Sequence, residues 1–270
     1  MARPMPENIG IKQLKRSDLV AEEIKRLVTD KNLNPGDRLP NEAELQAQFG
    51  VSKGTIREAL KSLEVQGLVK VTTGPGGGGT IAEVPLDRTL QFLQNYLFFQ
   101  DVTIEHIYTV RQLLEPELAA GAVPHLTDAH FEALEHSIAC CDPTSSAADL
   151  VSQRREDVHF HDILAQANPN PFLRFSCELI NEMIRQLIVY GNRTPQSEHR
   201  RFGEVNAQFH RDILAAARLR DADTVRQLMH KHMLDAAASV KRMKGRLQGR
   251  LILDAETLRR MPAAMRPPRT

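Results

Sequence analysis

The segment RREDVHFHDILAQANPNP, residues 154–171, places Asp157, His159 and His161 within five positions. A carboxylate and two imidazoles this close could hold a metal ion, move a proton or simply coat a polar helix face. Helix geometry separates the three. At about 100° per residue, Asp157 and His161 lie about 40° apart on one face, whereas His159 lies roughly 200° round from Asp157. Asp157 and His161 can therefore share a ligand and His159 cannot join them. On its own the pair reads more simply as a solvated hydrogen bond.

Further along, NAQFHRDILAAARLRDADTVRQLMHKHML, residues 206–234, adds His210, His230 and His232. The turn signal RLRDAD centres on Asp221, eleven residues from both His210 and His232. Along one unbroken helix those two would stand roughly 33 Å apart. In an antiparallel hairpin of helices they come level. His210 sits in FHRDILAAA, an echo of FHDILAQA around His161, so the two histidines share an orientation towards the core. His230, two residues from His232, points elsewhere, as His159 does. Asp157, His161, His210 and His232 thus form a candidate site of one carboxylate and three imidazoles. Such a set suits a divalent ion, with Zn²⁺ placed first and Ni²⁺, Mn²⁺ or Fe²⁺ as alternatives. No thiolate is expected in it, and Cys177 is badly placed. Four protein ligands leave one or two positions open on a five- or six-coordinate ion, which a small carboxylate could fill. Arg111, between Val110 and Leu113 in an apolar helix, needs a partner if it is near a buried face. A bidentate bond to an effector carboxylate would serve, and so would a salt bridge to Glu115 or another acid. Asn206, one turn before His210, is a second candidate for lining the cavity.

The elements that must position these residues read as follows. From about residue 86 to 246 the pattern is helical, with breaks near Asp101, GAVPHLTD, CDPTSS, NPNP, YGNRTP and RLRDAD. Six or seven helices joined by short turns make an all-α antiparallel bundle, whose sites are built from facing helices. The first part of the chain differs. SDLVAEEIKRLVTDK puts Val20, Ile24, Leu27 and Val28 on one helical face, with Ser17 as its expected cap. NPGDRLP interrupts. Asn41 and Glu44 make a capping-box pair for a short helix ending at Gly50. Ser52 caps a third helix that turns Ile56, Ala59, Leu60 and Leu63 inward, with Gly67 after it. Two β-like runs, LVKV and TIAEV, flank TTGPGGGG. Three helices and a glycine-tipped hairpin outline a winged helix-turn-helix. The fold class is accordingly mainly α, with a DNA-binding domain over 11–84, a metal- and effector-binding bundle over 85–246 and a basic tail over 247–270.

The third helix suits DNA. Its N-terminal end offers Ser52, Lys53, Thr55 and Arg57, opposite Ile56 and Leu60, and Lys61 extends the strip. A helix N-terminus also attracts phosphate. Bulk charge adds nothing: residues 1–84 hold 12 Lys/Arg and 11 Asp/Glu, while 241–270 hold 9 and 2. The whole chain has 270 residues and a net charge of +1, and 41% of it is hydrophobic, enough for a sizeable core. No run of 18 apolar residues is present, so no membrane span is expected. Three cysteines, two of them adjacent, make a poor disulfide framework and point to a reducing, cytoplasmic setting.

LNPGDRLPNEAELQAQFGVSKGTIREALKSLEVQGLV resembles the GntR family of bacterial regulators over roughly residues 14–84. The shared pattern is PG-x-x-LP, E-x-x-L, GVS, T-x-REAL and L-x-x-x-GLV, in order. The resemblance implies DNA contacts from Lys53, Thr55 and Arg57, and from Gly74 in the wing to the minor groove. Ala43 and Lys53 stand where members often carry arginine, and Gly54 stands where a hydroxyl residue is frequent. Lysine lacks arginine's planar fork for guanine, so the operator is expected to differ from the usual one. Residues of about 90–240 resemble the FCD ligand-sensing domain of the FadR branch, through VRQLLEPELAA, the D-x-x-x-H of DVHFH and two later histidines 22 residues apart. That resemblance implies a divalent metal at Asp157, His161, His210 and His232 and an organic-acid effector against Arg111. It leaves the effector open among lactate, pyruvate, sugar acids, dicarboxylates and, in members without metal, acyl-CoA. The function expected is a ligand-responsive regulator, usually a repressor, that binds a palindromic double-stranded operator as a homodimer. A metal-dependent enzyme acting on a small carboxylate and a sensor of the metal itself are the alternatives.

Overall fold

The computed structural model describes residues 15–72, 78–100, 102–142, 150–189, 195–243 and 246–247. Gly74 and the tail from residue 248 lie outside the described residues. The chain divides into two units, Met1–Thr89 and Leu90–Thr270.

In the first unit, α1 (Arg16–Asp30), α2 (Glu42–Phe49) and α3 (Lys53–Val65) precede the antiparallel pair β1 (Val69–Thr72) and β2 (Gly78–Ile81), with Val69 opposite Ile81 and Thr72 opposite Gly78. The order is that of a winged helix-turn-helix. Local chemistry sets most of the boundaries. Asn41 Oδ1 accepts from the N–H of Ala43 and Glu44 at 2.9 and 3.0 Å, and Glu44 accepts in return from the N–H of Asn41 at 2.8 Å. Gly50 ends α2 at φ +61°, a left-handed conformation that a residue without a Cβ adopts without strain. Ser52 Oγ accepts from the N–H of Thr55 and starts α3 three residues later, the tight turn of the motif. Ser17 does not cap α1. The helix starts at Arg16, and Ser17 is buried because it falls three residues before Val20 on the stripe that faces the core. Val20, Ile24, Leu27, Leu39, Leu45, Ile56, Leu60, Leu63, Val69 and Ile81 make that core. Each such aliphatic side chain stabilises the fold by about 1.5–3 kcal/mol when fully buried. Gly79 is required by close approach, since a Cβ there would lie 2.9 Å from Leu39 Cδ1.

The second unit is built from α4 (Leu86–Leu97), α5 (Ile104–Ala122), α6 (Asp128–Cys141), α7 (Leu150–Ala167), α8 (Pro171–Leu187), α9 (Gln196–Arg218) and α10 (Ala222–Arg242). Among the described residues this makes seven helices, the first of which begins in the preceding unit. A short pairing of β3 (Ile188–Val189) with β4 (Arg246–Leu247) links the end of α8 to the chain beyond α10. The main core joins α5, α6, α7, α9 and α10 through Ala119, Leu134, Phe160, Leu164, Ile213 and Met229. The α9–α10 hairpin turns at Leu219–Asp221. Arg220 adopts φ +58° there, and its guanidinium donates to the carbonyls of Val123 and Leu126 at 2.5 and 2.9 Å. Asp221 caps α10 by accepting from the N–H of Thr224. This anchored turn fixes the register of α9 against α10, and so the heights of His210 and His232.

Candidate metal centre and nucleic-acid interface

Helix α7 divides its polar residues as its period demands. Asp157 and His161 are buried, while the His159 side chain is 49% exposed and lies 3.8 Å from Asp162. On the hairpin, His210 and His232 are buried and His230 is exposed. His210 Nε2 and His232 Nε2 are 3.1 Å apart although 22 positions separate them in sequence. His161 completes the group, with ring centroids 5.3 Å from His210 and 5.4 Å from His232. Phe160, which precedes His161, stacks on His210 at 3.9 Å and 5°, and Phe209, which precedes His210, lies 5.2 Å from the His232 ring, so both phenylalanines help to wall the site.

The four expected ligands, joined by Cys141, fall into two triplets that share His210. His161, His210 and His232 offer donor atoms within 4.8 Å of one another, and so do Cys141, Asp157 and His210. The carboxylate of Asp157 is held on its own side by Asn206, whose Nδ2 donates to both oxygens at 3.0 and 2.9 Å. Asn206 is thus placed one turn before His210 as a support for Asp157.

Glu115 of α5 reaches the site from a third direction. Its Oε2 lies 3.0 Å from His161 Nδ1, and its Oε1 accepts from Arg111 Nε and Nη2 at 3.2 Å. Burial pushes the Glu115 carboxyl up, but the His161 imidazole and the Arg111 guanidinium outweigh it and hold it at about 2. An ionised carboxylate only accepts, so His161 Nδ1 carries the proton and its Nε2 lone pair is left for a metal. Arg111 is 4% exposed and sits 5.3 Å from the Tyr108 ring centroid, so its charge is held inside the bundle by Glu115. Burial, then the neighbouring imidazoles and Arg111, push His210 and His232 well below the ordinary histidine range. Both rings are therefore neutral, the protonation state that metals bind.

Two observations test whether this donor set fits a divalent ion. First, His161, His210 and His232 are all buried and each offers a ring nitrogen within 4.8 Å of the others, a donor set of neutral imidazoles with no cationic side chain among them. Second, two nitrogens about 2.1 Å from one ion, at tetrahedral or octahedral angles, stand about 3.0–3.4 Å apart. The observed Nε2 to Nε2 distance of 3.1 Å falls in that interval. The residues fit. Glu115 and Cys141 are the participants that the sequence reading left out of the site. Glu115 had a signal in its four-residue spacing from Arg111, but its bond to His161 spans 46 positions. Cys141 had none.

In the first unit, Ser52, Lys53, Arg57 and Lys61 are exposed and Thr55 is half-buried, from the cap of α3 to its third turn. Arg57 Nε donates to both carboxylate oxygens of Glu42 at 3.0 and 3.1 Å, and Lys53 Nζ lies 3.7 Å from the same group. Glu42, at the start of α2, is therefore the counter-ion of two of the cations that the sequence assigns to DNA. Gly54 has open space around it, since a Cβ would meet only Ser52 Oγ at 3.8 Å. Packing does not require glycine there.

Comparison with known proteins agrees with both halves. Residues 16–78 match the model for bacterial regulatory proteins of the gntR family, and residues 106–235 match the FCD domain. The chain is 27% identical over 234 residues to the HTH-type transcriptional repressor NanR of Citrobacter rodentium, covering 86% of this chain and 88% of that protein. It is 28% identical over 228 residues to NanR of Salmonella newport, covering 83% and 85%. A solved Streptococcus agalactiae GntR superposes with a TM-score of 0.58 at 24% identity, over 83% of this chain and 99% of that one, which supports the fold. No helix among the described residues is long and apolar enough to cross a membrane. The chain therefore carries the DNA-binding domain of the gntR family of bacterial regulators followed by an FCD domain, the make-up of a transcriptional regulator and not of an enzyme.

Proposed function

We propose that this regulator is a repressor whose affinity for its operator is set by a small organic acid bound beside a divalent ion in the helical unit. Asp157, His161, His210 and His232 would hold the ion, and Zn²⁺ suits the donors best, with Ni²⁺, Mn²⁺ and Fe²⁺ as alternatives. The observation that carries the reading is the meeting of three buried imidazoles, two of them 3.1 Å apart and one fixed in tautomer by Glu115. The ion supplies a Lewis-acidic seat for a carboxylate. Arg111 gives the same ligand a bidentate partner through the outer edge of its guanidinium, since Glu115 takes only the Nε proton and one Nη2 proton. Glu115 bonds both that guanidinium and His161, so the acid and the ion act on one network. The relatives named as repressors support repression as the outcome.

One winged helix reads only a half-site. A homodimer on a palindrome therefore follows, with half-sites about one helical turn, roughly 34 Å, apart. The effector changes operator affinity only by as much as it prefers one arrangement of the DNA-binding units over the other.

The test is elemental analysis of the purified protein with operator binding alongside. Wild-type protein should retain about one divalent ion per chain. H210A and H232A should lose it, while H159A and H230A keep it, because those rings face away. Equal loss in all four, or no ion in the wild type after loading with Zn²⁺ and Ni²⁺, would refute the site. Binding to operator DNA is then compared for metal-free protein, loaded protein and loaded protein with a panel of organic acids. An ion that shifts affinity by itself, with no further effect of any acid, would make the metal the signal.

A further inference from the structure

Cys141 ends α6 with its side chain 2% exposed, and its Sγ lies within 4.8 Å of an Asp157 oxygen and a His210 ring nitrogen. Its other contact is with the Ile138 carbonyl of its own helix, at 3.4 Å. His210 belongs to both triplets and is fully buried, and its Nδ1 has no partner. The next residue, Asp142, is tied to Arg211, which follows His210 on α9. The end of α6 that carries the thiol is therefore fastened to the helix that carries the shared imidazole.

We propose that Cys141 is a fifth protein ligand of the divalent ion, bound as thiolate beside Asp157 and His210. The proposal rests on the metal reading above. When the ion binds, the S–H bond breaks, the sulfur lone pair forms the bond to the metal and the proton leaves to the buffer. The thiol stays neutral in the dry site until a cation arrives to stabilise the thiolate. Two consequences follow. A soft donor moves the preference away from Mn²⁺ and towards Zn²⁺ or Co²⁺. Five protein ligands on a six-coordinate ion leave one open position, so an effector carboxylate would bind through a single oxygen and depend on Arg111 for its second contact.

Metal-free full-length protein titrated with Co²⁺ provides the test, read by absorption. The wild-type adduct should show a thiolate-to-cobalt charge-transfer band in the near ultraviolet beside the visible d–d bands. The band should survive in C140A and C177A. It should vanish in C141S, which still takes up Co²⁺ but binds Zn²⁺ at least about tenfold more weakly, the lower end of what even an outer-shell partner contributes. A wild-type Co²⁺ adduct without the band, a band that persists in C141S, or one lost in C140A or C177A overturns the proposal and leaves the histidine site standing. No uptake of Co²⁺ at all overturns both. Should C141S fail to fold, the wild type and the other two variants decide the matter by elimination.

Discussion

Glu115→Gln removes one charge from the centre of the buried network and keeps the shape of the side chain. Glu115 is 1% exposed and bonds Arg111 through one oxygen and His161 through the other. Its carboxyl is held at about 2 against an ordinary 4.5. At about 1.36 kcal/mol per pH unit, that gap corresponds to about 3 kcal/mol in favour of the ionised form within the fold. A second route gives a similar size: removing one partner of a buried ion pair strands the other and costs about 3–5 kcal/mol. For a unit of this length each kcal/mol moves the melting point by about 2–4 °C, so a fall of roughly 10 °C is expected. Calorimetry on chelator-treated protein isolates the pair from any bound ion. Because the folded-state pKa lies below the unfolded one, the contribution is complete above about pH 4.5 and fades as pH falls towards 2. The gap between wild type and E115Q should therefore be wide at pH 7 and narrower at pH 3. The double variant R111M/E115Q should be less destabilised than the sum of the singles by more than about 1 kcal/mol, since it leaves no stranded charge. Melting of E115Q within about 2 °C of wild type at pH 7, or strict additivity in the cycle, would refute the account.

Arg57→Ala should weaken operator binding by about 10–100-fold and leave the melting of the helical unit unchanged, and an unaltered affinity would remove α3 as the reading helix. Glu42→Gln should strengthen DNA binding at fixed salt, measured by fluorescence anisotropy, because Arg57 and Lys53 no longer share an acid; weaker binding would show that Glu42 orients them. In metal-free protein, stability to urea should fall as pH drops from 7 to 5. Unfolded histidines take up protons near 6.5, and the buried His210 and His232 resist doing so. The slope should approach about 2.7 kcal/mol per pH unit for two protons. The H210L/H232L variant should flatten that slope, and an equally steep slope in the variant would contradict the neutral assignment.

Much of this was readable from local rules. The Asn41–Glu44 capping box, the left-handed Gly50 and the inward face of α3 depend on residues no more than four apart, where spacing alone fixes geometry. The exclusion of His159 and His230 follows from the helical period. The meeting of His210 with His232 needed one further assumption, a turn at Asp221, and symmetry about that turn supplied the register. What stayed hidden depended on helix order in space. Nothing in the sequence says that α5 passes behind α7, so the bond of Glu115 to His161 could not be derived from it. The end of α6 beside Asp157 was equally invisible, and Cys141 was missed with it. Ser17 failed as a cap for the opposite reason: its type suited the role, but the apolar stripe of α1 claimed its position.

The placement of Arg111 also constrains how an acid could be sensed. A guanidinium already paired with Glu115 in a dry interior has its charge compensated, so it offers a ligand directed N–H groups but little net attraction. In the proposed mechanism most of the affinity must then come from the metal, and Arg111 contributes selectivity by rejecting ligands that lack a carboxylate at the right distance. Glu115 cannot be stripped of partners at 1% exposure, since an isolated buried carboxylate is far more costly than any exchange can offset. It therefore keeps both Arg111 and His161, and His161 would ligate the ion. An acid that draws Arg111 towards the ion pulls on Glu115 and His161 in turn, and a ligand that acts through a bonded chain of this kind requires no change in the DNA-reading residues themselves.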